Sequence, residues 1–276
     1  MRLIRTADEQ SYRHLTSEEL RRHFLAADLF QAGRIELVYT DVDRAIVGGV
    51  MPVEGPLSLE SGREMACGYF CERREVGILN LGATGTVTVD AASYRLAPRE
   101  CLYVGRGSRT VRFASESGQT PACFYLVSYP AHAEYPTAHA GLEQANRIEL
   151  GSQKDANRRT IHQYIHLKGI RSCQLVMGFT ELHEGSVWNT FPPHTHDRRT
   201  EVYCYFDLPP RGCVLHLLGA PDETRHVVLR EKQVALSPAW SVHSGVGTGS
   251  YRFVWAMGGE NQVFEDMDAV DPGHMR

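Results

Sequence analysis

The chain has 276 residues, 42% of them apolar and 22% charged, with a formal net charge of −4 at neutral pH. That length suits one large domain or two of about 100–150 residues, each able to bury its own core. The weak charge argues against a nucleic-acid partner or a membrane surface, and no stretch approaches the roughly 18 uninterrupted apolar residues of a membrane span.

The first ten residues carry Arg2, Arg5, Asp8 and Glu9 and hold no apolar run of the signal-peptide kind. Thr16-Ser17-Glu18-Glu19 then forms a capping box. It predicts a short helix through Leu20, Phe24, Leu25 and Leu29 that stops near Gly33. From there the spacing predicts short strands: 35–39, 76–81, 85–89, 101–104 and 110–113. They are separated by Gly, Pro, Asn and Asp, the rhythm of an antiparallel sandwich or barrel. Residues 131–159 are polar and read as a linker with room for a short helix. A second β-rich series follows at 173–182, 201–206, 213–218, 226–229, 233–236 and 252–257. The chain is therefore expected to be all-β.

Seven cysteines, at 67, 71, 101, 123, 173, 204 and 213, are an odd number and several lie in apolar runs. Buried reduced thiols explain them better than a disulfide framework, and a cytoplasmic location is expected. Lysine occurs only at 154, 168 and 232, so the cations are nearly all Arg. A faint internal repeat supports two copies of one barrel. Glu72-Arg73-Arg74-Glu75-Val76 is echoed by Asp197-Arg198-Arg199-Thr200-Glu201-Val202, and the segment 98–103 by 230–236. The expected division is residues 1–145 and 146–276.

The chemistry concentrates between Gly185 and Glu201. His194 and His196 are two apart, so on an extended strand both rings face the same way. Glu201, after a short turn, can enter the neighbouring strand and aim at the same point. His243 closes the turn Ser237-Pro238-Ala239-Trp240-Ser241-Val242-His243. An isolated His-X-His reads most simply as two surface histidines. Here Pro192-Pro193, the carboxylate spacing and the later turn converge on one divalent ion per chain. Three imidazoles and a carboxylate suit Zn²⁺, Mn²⁺, Fe²⁺, Co²⁺ or Ni²⁺, and ligand type alone does not choose among them.

These four residues resemble the two motifs of the cupin superfamily. The chain departs from the pattern at Trp240, where cupins usually have Gly, and in the long gap from Gly185 to His194. Longer strings are more specific: Pro193–Arg199, Glu201–Asp207, His243–Thr248, Gly259–Gln262 with Asp266–Asp268, and in the first half Ile46–Pro52 and Glu72–Gly77. They resemble the 5-keto-4-deoxyuronate isomerase family over nearly the whole chain. The resemblance implies two cupin-like barrels (a bicupin), with ligands only in the second. It also implies a zinc ion, a homohexamer, and an isomerase of polyuronide (pectin) breakdown acting on a small deoxy-keto-uronate.

An aldose–ketose isomerisation also needs a proton carrier and an anchor for the substrate carboxylate. Tyr203, of the same strand parity as Glu201, and Glu260 are candidates for the first. Arg198 and Arg199 are candidates for the second, and Trp240 for an apolar wall. Each has a structural alternative: a core tyrosine, a surface turn, a salt bridge, a plug at the barrel mouth. Two other readings of the chain stay open: an iron cupin dioxygenase, and a non-catalytic cupin that binds sugar acids.

Overall fold

The strand from Arg199 to Phe206 is buried along its whole length rather than on alternate residues. Both of its faces are covered, as this computed structural model of residues 1–276 makes plain. Val202, Cys204 and Phe206 enter a core shared by the two halves of the chain. Tyr203 and Tyr205 point the other way, into the second barrel's core, which Tyr12, Leu20, Phe24 and Leu25 of the N-terminal arm help to fill. The first half repeats this division on the strand Arg74–Asn80. There Val76 and Ile78 face the first half's own core, and Leu79 faces the shared one.

The architecture follows. Two seven-stranded sheets pack back to back, and each is faced on its outer side by a four-stranded sheet. Close approach of the two large sheets needs glycine at two crossing points. A Cβ at Gly77 would lie 2.5 Å from the Met177 sulfur, and one at Gly258 would lie 2.5 Å from the Tyr129 ring.

The two large sheets share one strand order. In the first it runs 2–4, 35–40, 46–50, 124–130, 74–80, 101–104, 138–140, and in the second 146–150, 159–165, 176–182, 252–259, 199–206, 234–237, 25–26. The repeated segments noted in the sequence occupy matching places in this order. Val76 lies opposite Ser128 and Glu201 lies opposite Met257, each two residues beyond a buried arginine. The first barrel therefore carries valine where the second carries a carboxylate.

The capping box forms, with the Thr16 side chain accepting from the Glu19 amide and the Glu19 carboxylate accepting from the Thr16 amide. The helix is shorter than expected, however, ending at Phe24. Leu25 and Ala26 turn extended because they pair with Ala235 and Val234 on the edge of the second large sheet. That pairing satisfies backbone groups a further helical turn would have left to water. The expected linker also holds more structure than its polarity suggested. Ala138–Ala140 closes the first large sheet, Leu142–Gln144 is a short 3₁₀ turn, and Asn146–Leu150 opens the second large sheet.

One side chain pins the halves together. Glu75 is fully buried and accepts from the amides of Cys173, Gln174 and Leu175 at 2.6–2.8 Å, and from the Tyr103 hydroxyl at 2.7 Å. All seven cysteines are free thiols, and Cys71, Cys101, Cys123 and Cys204 are buried.

Candidate metal centre

Three pieces of backbone meet inside the second barrel. His194 lies on a two-residue strand paired with Asp268–Ala269. Glu201 lies on the central strand of the large sheet, between Ser237 and Met257. His243 immediately precedes the strand Ser244–Gly247 of the small sheet. One ligand atom from each of His194, His196, Glu201 and His243 lies within 4.8 Å of all the others. The His243 Nε2 is 3.0 Å from the His194 Nε2 and 2.9 Å from the Glu201 carboxylate, and the His196 Nε2 is 3.3 Å from that carboxylate.

The far sides of two rings decide what these atoms offer. The His196 Nδ1 donates to the Arg199 carbonyl at 2.9 Å, and the His243 Nδ1 donates to the Ser241 carbonyl at 3.3 Å. Each neutral ring then turns a bare Nε2 lone pair inward. Lone pairs and a carboxylate gathered this closely repel one another unless a cation lies among them. Three of these spacings, at 2.9–3.3 Å, are those of neighbouring donors each about 2.1 Å from one ion. The four residues therefore fit a divalent metal.

The electrostatics agree. Burial, then His243, holds His194 down to about 3, so its ring stays neutral. Burial opposes ionisation of Glu201, but the charges and hydrogen bonds of His243 and His196 outweigh it and push its pKa below the usual carboxylate range. Burial likewise opposes a charge on His196, and its contacts with Glu201 and the Arg199 carbonyl reverse this into a raised pKa. In the absence of an ion, a proton on His196 supplies part of the positive charge this carboxylate attracts.

His194 and Glu201 line a cavity of about 230 Å³ whose walls include Ile161, Phe253, Trp255, Met257 and Phe264. Tyr203 lies on this wall as its strand parity predicted, with its hydroxyl 3.0 Å from that of Thr190. Burial, reinforced by the Glu201 charge, raises its pKa far above the ordinary range, so the phenol keeps its proton.

The other candidates are placed differently. Glu260 is exposed and lines a separate cleft with His132, Cys173 and Asp197. Arg198 lines that same cleft and is engaged by Asp266 at 2.8 Å and Asp268 at 2.7 Å, the salt-bridge alternative. Arg199 does reach the cavity, but its guanidinium donates to the carbonyls of Val263, Phe264 and Asp266. Trp240 is not on the cavity wall. Its ring packs 5.0 Å from that of Tyr12, which the N-terminal arm delivers.

Two residues passed over in the sequence matter here. Arg159, first residue of the strand Arg159–Ile165, lines the cavity. His216 is buried in the same barrel with its Nδ1 2.7 Å from the Tyr205 hydroxyl. Strand parity could have placed Arg159 beside Ile161, although it sat at the end of a segment read as linker.

Paired barrels, one of them gathering three imidazoles and a carboxylate beside a cavity, define a bicupin with a candidate metal site. The chain belongs to the KduI/IolB family, which matches residues 24–274. It is 53% identical to the 4-deoxy-L-threo-5-hexosulose-uronate ketol-isomerase of Opitutus terrae over 98% of both chains, and 49% identical to that of Halalkalibacterium halodurans over 97% of both. By that kinship it is an isomerase. Among solved structures, an IolB-like protein of Salmonella typhimurium superposes with a TM-score of 0.73 at 14% identity, covering 91% of this chain and 97% of that one. Bacillus subtilis oxalate decarboxylase, which carries Mn(II) centres, superposes with a TM-score of 0.59 at 11% identity, covering 88% and 77%. These two likenesses concern the fold alone.

Proposed function

We propose that the chain is a zinc-dependent ketol-isomerase. It converts 5-dehydro-4-deoxy-D-glucuronate (4-deoxy-L-threo-5-hexosulose uronate) into 3-deoxy-D-glycero-2,5-hexodiulosonate during cytoplasmic breakdown of pectin-type polyuronides, as a homohexamer. The observation that carries this reading is the convergence of four donor atoms, two of them from residues that line a cavity, in a chain about half identical to named ketol-isomerases.

His194, His196, Glu201 and His243 would hold the ion. Bound there, a divalent ion supplies Lewis acidity that polarises a carbonyl and stabilises negative charge developing on adjacent oxygens. The reaction moves hydrogen between two neighbouring carbons while their oxygens exchange roles. Glu201 is the one carboxylate on the cavity wall. Held ionised by His243 and His196, it suits ligation and is a weak base. Tyr203, protonated and hydrogen-bonded to Thr190, is the neutral relay able to pass its proton to the substrate's carbonyl oxygen while taking up the one the neighbouring hydroxyl loses, so that it ends the step protonated. The apolar walls exclude water and strengthen both effects.

Metal analysis of the purified protein, with turnover of the deoxy-keto-uronate measured before chelation, after chelation and after metal return, tests the reading. Stoichiometric zinc and activity that disappears and returns with it are expected. Full turnover in metal-free protein would refute it.

A further inference from the structure

Two guanidinium groups line the cavity, those of Arg159 and Arg199. They differ in what is left free. Arg199 donates to three backbone carbonyls, and its Nε is buried without a partner. It is spent on holding the 263–266 segment. Arg159 makes a single hydrogen bond, from Nη1 to the Asn157 carbonyl at 2.8 Å. Its Nε and Nη2 have no hydrogen-bond partner and neither is fully buried, on a residue that lines the cavity.

No carboxylate pairs with Arg159, and the ionisable groups that bear on its charge, the phenols of Tyr203 and Tyr251, keep their protons. A half-buried cation against apolar walls is costly unless an anion meets it. A guanidinium with one edge free matches a carboxylate in a two-bond fork. Its position is set by the sheet: Arg159 pairs with Leu150 and Leu182 on its neighbouring strands, and shares the cavity wall with Ile161 two residues on.

We propose that Arg159 anchors the carboxylate of the substrate, so that the cavity selects linear sugar acids over neutral aldoses. The inference rests on the isomerase reading for its substrate class. Arg159 and the metal-site residues then hold the two ends of an open chain, and this decides which carbonyl faces His194 and Glu201. Arg198 and Arg199 take no part in carboxylate binding.

The test compares wild type with Arg159→Met and Arg159→Lys, using Arg198→Ala as a control outside the cavity. Metal content and thermal stability are measured for each. Two readouts follow: KM and kcat for the deoxy-keto-uronate, and calorimetric binding of D-gluconate and of the uncharged alditol D-sorbitol to metal-loaded protein. Arg159→Met is expected to raise KM and weaken gluconate binding about 10- to 100-fold, with a smaller change in kcat. Arg159→Lys, which keeps the charge and loses the fork, falls between. Sorbitol binding is the same in all variants, and Arg198→Ala behaves as wild type. An unchanged KM and unchanged gluconate affinity in both folded, metal-loaded Arg159 variants would overturn the proposal. If wild type binds gluconate through Arg159 but turns over no uronate, the anchor stands and the isomerase reading fails.

Discussion

The Nδ1 of His196 lies 2.9 Å from the carbonyl oxygen of Arg199, three residues further on. The turn that brings Glu201 beside the histidine thus also fixes which nitrogen carries the proton. Metal affinity depends on that arrangement as well as on the donor atoms. His194→Ala and His243→Ala are expected to lose bound metal and at least about 100-fold in turnover. Elemental analysis of the folded variants checks this, and retained turnover in either would rule out a catalytic metal.

Tyr203 keeps its proton within a wall of apolar side chains. Tyr203→Phe removes one hydroxyl and leaves the four donor atoms untouched. We expect kcat to fall by about 10²- to 10⁴-fold, with metal content unchanged and KM altered far less. A drop confined to KM would mean that the phenol only binds.

Glu75 holds three consecutive amides of the other half. Glu75→Ala strands these donors in a buried place, at about 1–3 kcal/mol for each one left bare. The variant should unfold at clearly lower denaturant while any correctly folded fraction keeps its metal. A loss of less than about 1 kcal/mol would show that water replaces the carboxylate.

The adjacent arginines should separate cleanly. Arg198 engages Asp266 and Asp268 at the surface, where solvent screens the pairs, so Arg198→Ala is expected to leave stability nearly unchanged. Arg199 is buried, and Arg199→Lys cannot reach three carbonyls at once. Each charged hydrogen bond lost there is worth about 1.5–3 kcal/mol. Thermal melts of the two variants, run side by side, test the contrast.

Burial, aided by His243, holds the pKa of His216 down from 6.5 to about 3. The unfolded chain therefore takes up a proton below about pH 6.5 that the folded chain refuses. The stability tied to this ring is complete above that pH and is lost as the pH falls toward 3. In chelated protein, urea midpoints measured from pH 8 to 4.5 should fall on acidification, and His216→Asn should flatten the fall. Parallel curves for the two proteins would assign the acid sensitivity elsewhere.

Much of this was legible in the chain. His194, His196, Glu201 and His243 could be read from spacing because strand parity fixes where alternate side chains point, and Tyr203 followed from the same rule. The capping box at Thr16 placed the helix start for a similarly local reason. The helix end could not be read, because Leu25 and Ala26 answer to a partner strand near residue 235. The setting of Trp240 could not be read, because its neighbour, Tyr12, arrives from the far end of the chain. Arg198 and Arg199 look alike in sequence, and only the fold of 263–268 shows that one meets carboxylates and the other carbonyls. Arg159 lay hidden at the end of a segment whose polarity suggested a linker.

The N-terminal arm reaches across to finish the second barrel, where the Tyr12 hydroxyl bonds to the Glu223 carbonyl 211 positions away. On the ribosome, Leu25 and Ala26 wait for Val234 and Ala235 before their partner strand exists. A fragment cut from the gene at its midpoint thus lacks an edge strand and the Tyr12 ring, and would not carry the second barrel whole.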